Sequence, residues 1–175
     1  MRRRHPLPRL WLMTDERMGD ALWDALERLP RGSGVVFRHY RLPAPERRAL
    51  FAQVRKVARR RGLVLVRAGI EPMRGEAGSH AAPGRGIRTA PAHNRREAIA
   101  ALRAGAEALF VSPAFPTRSH PGARALGRAR FGMLVRGLDV PVIALGGMDA
   151  RKAASLRPFG IYGWAAIDAW TKAKD

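Results

Sequence analysis

The 175-residue chain has no cysteine, which excludes a disulfide framework, a thiolate nucleophile and a zinc site with cysteine ligands. It also lacks any apolar run near the ~18 residues that a membrane-spanning helix needs. No apolar stretch follows the N-terminal arginines, so the sequence does not predict a secretory signal. We therefore expect a cytoplasmic protein that does not bind a membrane.

Hydrophobic residues make up 46% of the chain, too many for a wholly disordered protein. The length fits one globular domain, since domains typically contain ~100–200 residues. We expect that single domain to extend over residues 10–175. Residues 1–9 are expected to form a basic N-terminal tail.

Acidic residues are scarce: 14 acids stand against 33 basic residues, and the net charge is +19. Such an excess favours binding to nucleic acids or other polyanions. Aromatic residues amount to only 7%, and none is interleaved with the arginine clusters at residues 2–4 and 59–61 as a base-stacking surface would require. We therefore expect no specific nucleic-acid recognition. A non-specific basic nucleic-acid-binding protein stays open as an alternative.

Short apolar runs alternate with segments in which apolar residues recur at helical spacing. One helical segment runs from Pro45 to Gly62, two residue types that helices favour in the first turn and just past the end. Asn94 and Asp149 stand where helix N-caps are expected. The other segments predict strands over residues 10–13, 35–37, 63–66, 87–90, 108–111, 140–145 and 161–167, and an eighth candidate strand lies near residues 77–81, where the apolar pattern is weak.

Strands that alternate with helices predict a parallel sheet, and eight of them fit an α/β fold of the (β/α)8 TIM-barrel type. The chain is short for such a barrel, which typically has ~250 residues. The shortage falls on residues 68–86, which contain five glycines and two prolines and no periodic apolar stripe. We expect a barrel shortened around the third and fourth helices, with an open doubly wound sheet as the alternative.

Functional residues of such barrels gather at the carboxyl ends of the strands. Gly146 and Gly147 directly follow the seventh predicted strand, where backbone N–H groups could approach a phosphate. A tight turn that needs glycine for its dihedral angles explains this pair equally well.

Two further strand ends carry side chains suited to phosphate oxygens. Arg38 follows the second predicted strand, although an arginine there can also be a solvated charge. The loop after the sixth strand is rich in proline, and an ordinary loop would look similar. Its candidate binding residues are Thr117, Arg118, Ser119 and His120.

The chain resembles the thiamine phosphate synthase family, including its thiazole tautomerase branch, over nearly its whole length. The most specific segments are SPAFPTRSHPG at residues 112–122 and VPVIALGGM at residues 140–148. The resemblance implies a barrel that joins hydroxymethylpyrimidine diphosphate to hydroxyethylthiazole phosphate and releases pyrophosphate. It also implies that Gly146 and Gly147 hold the thiazole phosphate, that Thr117 and Ser119 face the pyrophosphate, and that Arg38 matches the family's arginine.

The chain departs from the family mainly on the diphosphate side. The family holds Mg²⁺ with two aspartates, whereas the first of these positions falls near Arg67 and Ala68 and the second has no counterpart in residues 79–85. The resemblance thus implies Mg²⁺ as a cofactor, yet its ligands are missing and we assign no metal ligand. Other departures are Val36, Tyr40, Pro91, His120 and Asp168 in the synthase pattern, and Pro113 where the tautomerase branch has histidine.

Three hypotheses follow, and none assigns a catalytic residue. The first is a divergent synthase with a phosphorylated small-molecule substrate, in which arginines supply the charge of the missing metal. The second is a related barrel that binds a phosphate or thiazole ligand without synthase activity, and the third is the basic nucleic-acid-binding protein. Arginines available for the first hypothesis are Arg67, Arg85, Arg88 and Arg118.

Overall fold

Eight short parallel strands close into a barrel in chain order, from β1 beside β2 round to β8 beside β1. The structure is a computed structural model that describes residues 6–117, 122 and 124–171. The predicted (β/α)8 fold is therefore confirmed, and the open sheet is wrong. The strands are β1 (Leu10–Met13), β2 (Gly34–Phe37), β3 (Val64–Ala68), β4 (Gly78–His80), β5 (Ile87–Ala92), β6 (Ala108–Val111), β7 (Val142–Leu145) and β8 (Gly163–Ala166).

In the described part of the chain, five helices cover the outside of the barrel, and their ends follow the sequence signals. Asn94 accepts a hydrogen bond from the backbone N–H of Glu97, and Asp149 accepts one from that of Lys152. Gly62 ends the longest helix with a left-handed φ of 65°. The helices are α1 (Ala21–Arg28), α2 (Ala44–Arg61), α3 (Arg95–Arg103), α4 (Gly127–Val135) and α5 (Ala150–Leu156).

No helix follows β3 or β4, and residues 69–77 and 81–86, all of them described, connect these strands as loops. Glycine and proline interrupt both segments, so an apolar helical stripe cannot form there. The predicted shortening around the third and fourth helices is thus confirmed.

Bulky side chains fill the inside of the barrel. Trp11 is fully buried, and its ring meets that of Phe110 edge to face with 5.3 Å between the ring centres. Gly34 on the neighbouring strand makes room for the indole, because a Cβ at that position would lie 2.1 Å from Trp11. The interior is therefore a packed core and not a channel.

Residues 7–9, predicted as part of a tail, pack against the amino end of the barrel. Leu7 is buried, and its carbonyl accepts a hydrogen bond of 2.7 Å from the Tyr162 hydroxyl. The Pro8 carbonyl accepts one of 2.8 Å from the Trp11 indole. The packed part of the chain thus begins before residue 10. Across the described ranges, every helix is too short or too polar to cross a bilayer.

Candidate functional site

A cleft of about 470 Å³ opens at the carboxyl end of the barrel. The residues that line it follow β2, β5, β6, β7 and β8, so the parallel strands deliver them to one place. Of the predicted site residues, Arg38, Thr117, Gly146 and Gly147 meet here. Arg118, Ser119 and His120 lie outside the described residues.

Gly146 and Gly147 have positive φ angles of 95° and 61°. Each also lies against the loop after β6: a Cβ at Gly146 would approach Pro113 Cα to 2.8 Å, and one at Gly147 would approach Pro116 O to 2.2 Å. The turn and the packed loop therefore both require glycine. The two backbone N–H groups have no acceptor among the described residues, so they are available to an anion as well.

Lys152 brings a positive charge to the same cleft, and the sequence reasoning missed it. Its Nζ donates a hydrogen bond of 2.6 Å to the Gly147 carbonyl and lies 3.5 Å from an Asp149 carboxylate oxygen. Lys152 is the third residue after the helix cap, so the first turn of α5 directs it back towards the strand ends. The position relative to Asp149 is the signal that could have identified it.

Arg38 reaches the cleft and is held in place by Asp15, another residue that the sequence reasoning did not single out. The Arg38 guanidinium lies 3.2 Å from an Asp15 oxygen, and Thr14 Oγ1 accepts a hydrogen bond of 2.9 Å from the Arg38 backbone N–H. Side-chain hydrogen bonding from Arg17 lowers the pKa of Asp15 to about 2, even though burial opposes this. Asp15 is therefore a carboxylate at neutral pH and can orient Arg38.

The histidines near the strand ends have structural partners. His93 lines the cleft, but its ring lies 2.7 Å from Glu97 Oε2, and the same oxygen accepts a hydrogen bond from the His93 backbone N–H. His80 points into the barrel, where its ring contacts Thr89 Oγ1 at 2.9 Å and the edge of Phe110. Burial lowers the pKa of His80 to about 4, so this imidazole is neutral at pH 7.

Arg67, expected as a charge for the diphosphate, does not line the cleft. Its side chain is on the outer side of β3 with Leu65, whereas Val66 and Ala68 face the barrel interior. The side chain is 1% exposed, and its Nε lies 2.7 Å from Glu76 Oε2. The N–H does not point at that oxygen, so the contact is ionic without being a hydrogen bond.

The remaining donors of Arg67 hold the loops that replace the missing helices. They donate to the carbonyls of Gly69 and Pro83, the latter at 2.6 Å. Arg88, another candidate, is exposed and also lies outside the cleft, with a weak contact of 3.5 Å to the Ala104 carbonyl. Arg67 thus ties together the loops on the β3–β5 side of the barrel, and its charge is not available to a ligand.

The residues on this side do not suit Mg²⁺. Hard cations require several oxygen ligands directed at one point. Glu76 is committed to Arg67, and Glu71 is committed to Arg48. Within the described part of the chain, no group of three or more His, Cys, Asp or Glu side chains could hold a metal ion. Asp168 does line the main cleft, where its charge would face a phosphate.

Three comparisons place the chain among known proteins. The model of the family described as thiamine monophosphate synthase matches residues 81–170. The thiamine-phosphate synthase of Salinispora tropica is 42% identical over 79 residues, and that of Chloroflexus aurantiacus is 35% identical over 85 residues. These segments cover 45% and 48% of this chain but only 38% and 39% of the relatives, so the match spans about two fifths of their length.

The fold agrees with this assignment. Thiamine phosphate pyrophosphorylase from Pyrococcus furiosus superposes with a TM-score of 0.76, covering 97% of this chain and 89% of that one at 22% sequence identity. At that identity the superposition supports the barrel architecture alone. The family match contains β5 to β8 and the loops that form most of the cleft. The chain therefore belongs to the thiamine monophosphate synthase family.

Proposed function

We propose that the chain is a divergent thiamine phosphate synthase-like protein that binds hydroxyethylthiazole phosphate in the carboxyl-end cleft. The observation that carries the proposal is the meeting of Arg38, Thr117 and the Gly146–Gly147 backbone in one cleft of about 470 Å³. Such a volume suits a small phosphorylated heterocycle. Backbone N–H groups and a guanidinium held by Asp15 supply donors for the phosphate oxygens.

The synthase reaction would join this ligand to hydroxymethylpyrimidine diphosphate and release pyrophosphate. Negative charge grows on the departing pyrophosphate, and a catalyst must stabilise it. The described acids between β3 and β5 are paired with arginines, and Arg67 is buried in its own ion pair. We therefore propose that coupling is slow, with the chain's residues contributing mainly binding and orientation.

A coupling assay tests this proposal. With both substrates supplied, we expect thiamine phosphate to form far more slowly than with the thiamine-phosphate synthase of Salinispora tropica, and titrated Mg²⁺ to change the rate only weakly. Rescue of an auxotroph that lacks its synthase gives an independent readout. Rapid, Mg²⁺-saturable synthesis would contradict the assignment of Glu71 and Glu76 to structural pairs.

A second candidate function is a barrel that binds the phosphorylated ligand without coupling. The buried Arg67–Glu76 pair favours it, because that pair belongs to the protein's own packing. Binding of hydroxyethylthiazole phosphate with no detectable product would support this second candidate. Absence of binding would overturn both.

Binding itself can be tested at Arg38. We expect Arg38→Ala to weaken the affinity for hydroxyethylthiazole phosphate about 10- to 100-fold, since a charged hydrogen bond contributes ~1.5–3 kcal/mol. Arg17→Ala is a matched control, because Arg17 also pairs with Asp15 but does not line the cleft. Titration calorimetry measures both. Equal affinities for the wild type and Arg38→Ala would place the ligand elsewhere.

A further inference from the structure

A second cleft, of about 550 Å³, lies at the opposite end of the barrel. It is built by residues that precede β1, β2, β3 and β8, so it is at the amino end of these strands. Leu7, Leu63 and Val64 contribute apolar surface to its lining. Nothing in the proposed function uses this cleft.

Among the described residues that line the amino-end cleft, three are arginines and none is acidic. Arg9 is held over the Tyr162 ring at 4.6 Å from its centre, and its Nη1 lies 3.4 Å from the Tyr162 carbonyl. Arg31 and Arg59 are exposed, and neither forms an ion pair within the described residues. The cleft thus carries a formal charge of +3 from its own lining.

Neighbouring acids do not neutralise this charge. Glu27 on α1 is the acid that pairs with the end of α2, and it is occupied by Arg60 and by Arg61, the latter at 3.6 Å. The cleft arginines are therefore next to two further arginines, Arg60 and Arg61, which share Glu27 as their acidic partner. Such an arrangement raises the local concentration of anions.

The carboxyl end of α2 attracts positive charge, but it does not account for all three arginines of the cleft. A helix end carries only about half a negative charge, and the Gly62 N–H already donates to the carbonyls of Ala58 and Arg59. Arg31 lies beside Gly62 and can serve that helix end. Arg9 lies just before β1 and packs on the Tyr162 ring, so the end of α2 does not explain why a positive charge is found there.

We propose that the amino-end cleft binds a short chain of linked phosphates. Guanidinium groups match phosphate oxygens in pairs, and three of them offset most of the charge of a short polyphosphate anion. Arg9 is held against Tyr162, and Arg31 and Arg59 supply the other guanidinium donors of the lining. This site is independent of the carboxyl-end cleft and of its proposed ligand.

Inorganic triphosphate is the probe for a calorimetric test at about 150 mM salt, where exposed charges farther apart than ~8 Å are screened. We expect the double variant Arg31→Ser with Arg59→Ser to weaken binding at least about tenfold, the loss that ~1.4 kcal/mol represents. The control is the double variant Arg74→Ser with Arg96→Ser, which removes two exposed arginines that do not line this cleft. The control should change the affinity less than about twofold.

One more variant distinguishes binding in the amino-end cleft from binding in the carboxyl-end cleft. Arg38→Ala should leave triphosphate binding at the amino end unchanged, whatever it does to hydroxyethylthiazole phosphate. Equal weakening in the two double variants would assign the binding to net charge and overturn the proposal. Loss of triphosphate binding in Arg38→Ala alone would place the anion in the other cleft, and no binding at 150 mM salt by the wild type would also overturn it.

Discussion

Arg67→Met is expected to lower the free energy of unfolding by about 3–5 kcal/mol, because it leaves Glu76 as a largely buried carboxylate without its cation. The Glu76 side chain is 14% exposed, and its remaining contact is a hydrogen bond of 2.8 Å from the Met73 backbone N–H. The carbonyls of Gly69 and Pro83 lose their donors as well. Urea unfolding of the variant measures the loss.

Two further variants test whether the loss of stability comes from the burial of the Arg67–Glu76 pair. Arg48→Met breaks an Arg–Glu pair whose side chains are 53% and 40% exposed, so it should cost less than about 1 kcal/mol. Adding Glu76→Gln to Arg67→Met removes the unpaired charge and should restore part of the stability. Similar losses for Arg67→Met and Arg48→Met would show that the β3–β5 loops do not depend on the buried pair.

Acidification from pH 6.5 to pH 4 is expected to remove about 3 kcal/mol of stability through His80 alone. Burial lowers the pKa of His80 to about 4 in the folded protein, while an unfolded chain binds the proton near pH 6.5. The unfolded state therefore takes up more protons in this window, and the free energy of unfolding falls as the pH falls. Burial also lowers the pKa of His39, which acts in the same direction.

Chemical unfolding at pH 7 and pH 4.5 tests the assignment. His80→Gln cannot titrate, so its stability should change much less between the two pH values than that of the wild type. The lowered pKa of Asp15 matters only below about pH 4, outside this range. An unchanged pH dependence in His80→Gln would refute the assignment.

Most of the barrel could be predicted from local patterns. Apolar runs predicted seven of the eight strands, β1 and β6 with their observed bounds, because strands buried on both faces are rich in hydrophobic residues. The fourth strand, β4, lies in the glycine-rich segment, where no apolar run marks it. The carboxyl-end cleft followed from strand direction, since residues after parallel strands share one edge. Closure itself could not be read from any single segment, because β1 pairs with β8 across the whole chain.

The partners of charged residues were not predictable in the same way. Arg67 was proposed as a ligand for phosphate, but it occupies the outer side of β3 beside Leu65 and pairs with Glu76 nine residues later. The alternation of side chains along β3 indicates that Arg67 is on the outer side of the strand. Glu76, an acid in the following loop, can reach Arg67 only because no helix covers β3. Asp15 contacts Arg38 only because two separate segments fold together, which spacing along the chain does not reveal.

The helix-free sector divides the outer hydrophobic layer into two bodies. One joins α1 and α2 to the first three strands, with Phe37 and Leu65 among its buried residues. The other joins α3, α4 and α5 to β5, β6 and β7, with Phe131 and Leu156 among its buried residues. Since β4 lies between them with loops on both sides, no described helix joins the two bodies on that side of the barrel. Cooperative units of partial unfolding should therefore separate at β4.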